Sequence, residues 1–372
     1  MQKFTICQEP PVKEWWNAIY RLLSTWFLSM LKNFQQARGT LASSHQLETS
    51  GKFLTFCLFI LIIIITGCKD ISGNIVANIP VEYNSEPIVL FCQKDSCEKN
   101  LEFLLNSSEK SIHCAFYDLN LKKIINILAK KSHEADVKVV IDDENYKGQI
   151  KGNVKEANSR QLMHNKFCII DNKAVWTGSF NPTENDDKLN DNNVIVFYSR
   201  LIAENYEDEF EELWNGNFGN GSKVKNPAIS LNNIRIENYF CPEDACEMNV
   251  IKNIKNAKKS IYFLTFSFTS ENIADEILFK ENIDIKGVFE ARGAGSYSQY
   301  KRLKDFGLDV IKDKNKGNMH HKAFIIDNET VITGSYNPTE NGNKRNDENL
   351  VIIHDKDIAE EYLKEFERIF YS

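Results

Sequence analysis

Two histidines, two lysines and the polar residues spaced behind them form the part of this sequence best suited to chemistry. His164, Lys166, Asp171, Ser179 and Asn181 lie in the pattern His-x-Lys-x4-Asp-x6-Gly-Ser-x-Asn, and His320, Lys322, Asp327, Ser335 and Asn337 repeat it at the same spacing. One imidazole can attack an electrophilic centre while the other protonates the departing oxygen. Lys166 and Lys322 stand two residues beyond their histidines, so on a strand each pair shares a face. Lysine ammonium groups, asparagine amides and serine hydroxyls together suit an anionic centre such as a phosphodiester. No carboxylate cluster suited to magnesium or calcium accompanies them, so the lysines stand where a metal would, and neither metal nor cofactor is expected.

The elements that must position these residues are duplicated. Met163 to Asn172 returns as Met319 to Asn328, and Thr177 to Asn185 returns as Thr333 to Asn341. Phe91-Cys92 pairs with Phe240-Cys241 at a shorter offset, so the second copy carries a net seven-residue insertion. Ala291 to Tyr300, rich in glycine and serine, reads as that insertion, a loop able to border the site. Apolar runs predict strands at Ser111 to Phe116, Val137 to Ile141, Lys166 to Ile170, Ala174 to Thr177 and Val194 to Tyr198. The second copy matches them at Ser260 to Phe266, Ile283 to Phe289, Lys322 to Ile326, Val331 to Thr333 and Leu350 to Ile353. Ile202, Tyr206, Phe210 and Leu213, like Ile358, Tyr362, Phe366 and Ile369, fall on one helical face. Alternating strands and helices give an α/β fold.

The doubled motif resembles that of the phospholipase D superfamily, over essentially all of Ile88 to Ser372. The resemblance implies two tandem α-β-α sandwich domains related by a pseudo-twofold axis around one shared active site. The boundaries read as an N-terminal extension at 1–68, a linker at 69–86, a first domain at 87–225 and a second at 226–372. It also implies a two-step route through a phosphohistidine, with His164, Lys166, Asp171, His320, Lys322 and Asp327 as catalytic residues and Ser179, Asn181, Ser335 and Asn337 on the phosphate. Relatives usually place a histidine-orienting carboxylate where this chain has Glu348 in the second copy but Asn192 in the first. Taking Glu348 as the orienter of His320 makes His320 the charged acid/base and His164 the nucleophile, with Asp191 a substitute for the missing carboxylate. Asp171-Asn172 and Asp327-Asn328 also have hairpin-turn composition, so these aspartates are expected to hold the motif rather than touch substrate. His321 should face away, His45, His113, His133 and His354 have no partner pattern, and Glu204 to Glu212 reads as a solvated helix face.

With 42% hydrophobic and 26% charged residues the chain is globular rather than disordered, and its net charge of -7 offers no overall field for polyanions. A phospholipid bilayer is therefore the expected substrate surface, phosphatidylcholine or cardiolipin the expected class, and no protein partner is implied. DNA or RNA is the alternative substrate, transfer to an alcohol the alternative reaction, and a catalytically dead binding protein the alternative class. Tyr117, Phe266, Phe268, Tyr297 and Tyr300 could line an apolar entrance or pack in the core. Phe53 to Ile65 is too short to span a bilayer and has the length of a signal-peptide core, or of a retained anchor. Ile65-Thr66-Gly67-Cys68 resembles a lipobox, which implies lipidation of Cys68 and placement on the outer side of the cytoplasmic membrane. Trp15 to Phe34 could form an interfacial helix. Export permits disulfides, and Cys92 with Cys97 and Cys241 with Cys246 are spaced for one in each copy; the alternative is a metal site shared by the four. Cys114 and Cys168, matched by Phe263 and Phe324, are expected to be buried packing residues.

Overall fold

The computed structural model describes residues 79–158 and 160–372, so the apolar run, Cys68 and the Trp15 to Phe34 segment lie outside the described residues. A short strand β1 (Val81–Glu82) precedes the first repeat, which runs β2 (Ile88–Phe91), α1 (Cys97–Ser107), β3 (Ser111–Phe116), α2 (Lys122–Lys131), β4 (Asp136–Asp142), β5 (Val154–Ala157), β6 (Lys166–Ile170), β7 (Ala174–Gly178), α3 (Glu184–Lys188), β8 (Asn193–Tyr198) and α4 (Arg200–Trp214). The second runs β9 (Ala228–Leu231), β10 (Ile234–Cys241), α5 (Cys246–Asn256), β11 (Ser260–Thr265), α6 (Glu271–Leu278), β12 (Asp284–Phe289), α7 (Tyr300–Asp305), β13 (Asp309–Lys312), β14 (Lys322–Ile326), β15 (Thr330–Gly334), α8 (Glu340–Lys344), β16 (Glu348–His354) and α9 (Lys356–Phe370). The insertion in the second repeat is thus more than a loop. It includes α7, a turn of helix with no counterpart between β4 and β5.

The first sheet has the order β2-β8-β7-β6-β3-β4-β5, and the second repeats it as β10-β16-β15-β14-β11-β12-β13, extended by β9 and β1. In each sheet the motif strand is an interior strand with every residue buried, apolar throughout after its leading lysine as expected of a strand covered on both faces. Outer helices α1 and α2 cover one face of the first sheet, burying Leu101, Leu105, Ile124 and Leu128 with Ile112 and Trp176. The other face meets α4 and α9 in one core shared by both repeats, where Tyr206 and Phe210 join Phe167, Phe240, Tyr362 and Phe366. Ser199 and Asp355 start these two helices by accepting the N–H groups of Ile202 and Ile358. A shared core of this kind holds the two motif strands in fixed relation.

All three cysteine pairs among the described residues are disulfides: Cys92–Cys97, Cys241–Cys246 and Cys114–Cys168. The third corrects the reading of Cys114 and Cys168 as packing thiols. They are direct cross-strand partners on β3 and β6, as Phe263 and Phe324 are on β11 and β14, so the first repeat ties by a bond what the second ties by ring contact. The pairing closes a 54-residue separation against 5 for the others. In the loop-entropy model its removal costs about 4 kcal/mol and a short pair about 2 kcal/mol. The double substitution Cys114→Ala/Cys168→Ala is therefore expected to lower the urea midpoint more than Cys92→Ala/Cys97→Ala, and the reverse order would refute this ranking.

Candidate active site

Each repeat reaches across to complete the other. The residues leading into β16 pair with the start of the first motif: Asp347 N–H donates to Leu162 O at 3.0 Å, and His164 N–H donates to Asp347 O at 2.9 Å. Those leading into β8 do the same for the second motif, with Asp191 N–H to Asn318 O and His320 N–H to Asp191 O both at 2.8 Å. Glu348 consequently bonds His164 Nδ1 at 2.8 Å, and Asn192 Oδ1 bonds His320 Nδ1 at 2.8 Å. This overturns the assignment of Glu348 to His320. Asp191 is no substitute carboxylate either, because its side chain binds Arg368 and Asn315 while only its backbone carbonyl serves His320.

Both histidines and both lysines are buried. Lys166 Nζ donates to His164 O at 2.6 Å and Lys322 Nζ to His320 O at 2.8 Å, so each lysine folds back on its own motif. Burial, then the charges of both lysines, holds His164 well below the ordinary imidazole value. Burial first and the lysines next do the same to His320. Lys166 is pushed down to about 8 by burial, against the opposing pull of Glu348 and Asp186, and Lys322 is also held well below its usual value. Glu348 is pushed up to about 8 by burial, against the lysines and the Ser335 hydroxyl. An incoming phosphate would relieve the repulsion between the two ammonium groups, which gives the site its affinity for an anion.

The wall beside each pair is aromatic. The Tyr117 ring centroid lies 4.9 Å from that of His164 and 5.1 Å from Lys166 Nζ; Phe266 lies 4.6 Å from His320 and 4.8 Å from Lys322 Nζ. Both are half-buried at the ends of β3 and β11, on the site side rather than in the core. Phe268 is a core residue, Tyr297 is exposed, and Tyr300 packs on Phe289. The inserted segment does reach this wall, since a Cβ on Gly293 would stand 2.6 Å from the Phe266 carbonyl.

The remaining motif residues hold the frame. Asp171 accepts the N–H groups of Glu109, Lys110 and Ser111, and Asp327 those of Lys258, Lys259 and Ser260, so each carboxylate pins the start of the neighbouring strand rather than facing substrate. Asp171, Asn172, Asp327 and Asn328 all have positive φ, as the hairpin reading requires. Ser179 donates to Asn192 Oδ1 at 2.9 Å and Ser335 bonds Glu348, so the serine hydroxyls steady the two histidine partners. Gly178 and Gly334 permit the close approach, because a Cβ there would meet Asn193 O at 2.2 Å and Asn349 O at 2.3 Å. Asn181 Nδ2 donates to Asp186 at 2.9 Å, while Oδ1 of Asn181 and of Asn337 is buried with no hydrogen-bond partner in the described structure.

Several positioning residues carry no motif signal. Asp142 ends β4 and Glu290 lies just beyond β12, and each accepts the N–H of the methionine before a motif histidine, at 2.9 and 2.7 Å. Their common signal is a carboxylate at the same place in both repeats. His321 is fully buried between Asn193 and Glu365, as Asn165 is between Asn349 and Glu209, so it belongs to the join between repeats and not to the chemistry. Glu209 accordingly departs from the solvated face read for its helix. His113 pairs with Glu207 and Asp136, and His354 with Glu237.

If Lys166 must be charged to bind phosphate, the pH profile has a definite sign. Its folded value near 8 lies below the usual 10.5, so the charge is present below about pH 8 and lost above it. kcat/KM, which reports the free enzyme, is expected to fall by about tenfold per pH unit above that point. Lys166→Arg keeps its charge and should retain activity at pH 9 relative to pH 7; a limb unchanged in this variant would assign it to another group.

A family model described as cardiolipin synthase, PLD-like domain matches residues 101–214 and 250–370, one match in each repeat. A phospholipase D of Rickettsia felis is 32% identical over 149 residues, 38% of this chain and 73% of the relative. A mitochondrial cardiolipin hydrolase of Xenopus laevis is 31% identical over 136 residues, 35% of this chain and 65% of the relative. Among solved structures, phosphatidylserine synthase from Haemophilus influenzae aligns over 78% of this chain and 87% of its own, with a TM-score of 0.60 at 12% identity, which speaks to fold alone. With both repeats matched, two motifs intact and their histidines joined in one buried site, the chain belongs to the phospholipase D superfamily of phosphodiesterases.

Proposed function

We propose that the protein hydrolyses glycerophospholipids of the phosphatidylcholine or cardiolipin class, releasing phosphatidic acid or its equivalent and an alcohol. The observation that carries the reading is the unequal pairing of the two histidines, one on a carboxylate and one on an amide. With Nδ1 committed to Glu348, His164 presents Nε2 to phosphorus. As the N–P bond forms and the P–O bond to the alcohol breaks, the imidazole becomes cationic, and the Glu348 charge stabilises it. His320, held by a neutral amide, releases its proton to the leaving oxygen more readily than a carboxylate-bound imidazole would. It then takes a proton from water, whose oxygen attacks phosphorus as the P–N bond breaks. The roles are those expected from sequence, but the reason for them is reversed.

Acidic groups around the aromatic wall favour a lipid over a polyanion. Tyr117 is raised chiefly by burial and then, against an Asn145 hydrogen bond, by Asp142, Glu144 and Asp118. The names of the relatives point the same way. The three disulfides support export, and the apolar segment ahead of the described residues would keep the enzyme at the outer face of the cytoplasmic membrane. Among the described residues no helix is long and apolar enough to cross a membrane. The test incubates the full chain, with chelator, with phosphatidylcholine vesicles, cardiolipin vesicles and single-stranded DNA. Head-group release is the expected result. DNA cleavage with inert lipid would make the protein a nuclease, and phosphatidyl transfer to added ethanol in preference to water would make it a transferase.

A further inference from the structure

We propose that Asp186 is the positioning carboxylate of the His320 half of the site, standing in for the one that position 192 lacks. The inference rests on the phosphohistidine reading above and concerns a residue outside the motif. Asp186 is buried, and its Oδ2 lies 3.8 Å from His320 Nδ1. It is fixed there by Asn181, whose backbone N–H and Nδ2 donate to the same oxygen at 2.7 and 2.9 Å, and by Asn190 Nδ2, which donates to Oδ1.

Comparison of the repeats shows a compensation. Counting along the aligned motifs, Asp186 corresponds to Gly342, and Asn192 to Glu348. A Cβ at Gly342 would meet the Asn337 carbonyl at 2.4 Å, so the second repeat has no room for a side chain where the first carries its carboxylate. Each repeat therefore contributes one buried carboxylate to the histidine of the other: Glu348 in direct contact with His164, and Asp186 at 3.8 Å from the His320 Nδ1 that Asn192 holds. Asn192 Oδ1 receives both His320 Nδ1–H and the Ser179 hydroxyl, an arrangement that orients the ring without charging it. The other groups acting on His320 are Lys322, Lys166, His164 and His321, all of which disfavour its protonation. Asp186, with its carboxylate 3.8 Å from Nδ1, is placed to oppose them, and it also favours the charged form of both lysines. Without it a histidine surrounded by ammonium groups would lack the proton that the leaving oxygen needs.

The experiment follows the His320 ring by NMR across pH in the full chain, with Asp186→Asn, Asp186→Ser and the double variant Asp186→Asn/Asn192→Asp. The single variants should lower the His320 midpoint by about one unit or more, and the double variant should restore it, because a carboxylate returns at the position relatives use. In parallel, Asp186→Asn should slow release of an alkoxide leaving group by about 10- to 100-fold and spare the first-turnover release of 4-nitrophenolate from bis(4-nitrophenyl) phosphate, a step that needs no proton. A purely structural residue would impair both substrates alike. A midpoint unmoved in both single variants overturns the proposal, as does a wild-type His320 that stays neutral down to about pH 4.5, a result that needs no variant to fold. If the wild type cleaves no phosphodiester, the functional reading fails, while the titration still decides Asp186.

Discussion

Substitution of His164 by Asn is expected to lower turnover by at least about 10⁴-fold, because in the proposed mechanism this residue forms the bond to phosphorus and no other group takes its place. His320→Asn should cost about 10²- to 10⁴-fold on a lipid, the usual range for a lost general acid. The two losses differ in kind. With bis(4-nitrophenyl) phosphate, whose leaving group departs unprotonated, His320→Asn should still form the covalent intermediate and then stall, since no base activates water. Trapping with radiolabelled diester at alkaline pH should leave label on His320→Asn and none on His164→Asn. Label on the second and not the first would reverse the roles. The geometry behind this expectation is the contact of Glu348 with His164, which offsets the positive charge of a phosphorylated ring.

Much of the frame is legible in the sequence. The strands carrying the motifs run Lys166–Ile170 and Lys322–Ile326, as the apolar runs require, because a central strand buried on both faces admits few polar residues. Asp171 and Asp327 announced their turns by composition, since Asp and Asn tolerate the left-handed backbone that a tight hairpin needs. Which repeat's carboxylate meets which histidine was not legible. Spacing within one copy placed Glu348 near His320, whereas the backbone pairing of Asp347 with Leu162 and His164 carries it to the other copy. That exchange depends on the packing of two sheets around α4 and α9, a contact between residues far apart in the chain. Asp186 was hidden for a similar reason: it lies in a short polar helix where a charge ordinarily means solvent, and only burial against His320 distinguishes it. The Cys114–Cys168 bond was missed because its counterpart is a phenylalanine pair, and apolar neighbours made a thiol look like filler.

The crossed pairing makes its own prediction at Glu348. Glu348→Gln keeps an oxygen able to accept from His164 Nδ1–H but removes the charge, so the ring stays oriented while its cationic form loses stabilisation. In a hydrolase triad the comparable change costs about 10⁴. Here the loss should be smaller, about 10²- to 10³-fold in kcat, because Glu348 is itself held up near 8 by burial and is incompletely charged at neutral pH. The variant also separates the two possible pairings. If Glu348 acts through His164, adding Glu348→Gln to His164→Asn should change the residual rate little, whereas adding it to His320→Asn should slow formation of the trapped intermediate further. If it acted through His320, the pattern would invert: the His320 background would be insensitive and the label would accumulate at an unchanged rate. The amide already present at Asn192 shows that this fold tolerates a neutral histidine partner, so a correctly folded Glu348→Gln protein is expected, and its kinetics report charge rather than collapse of the site.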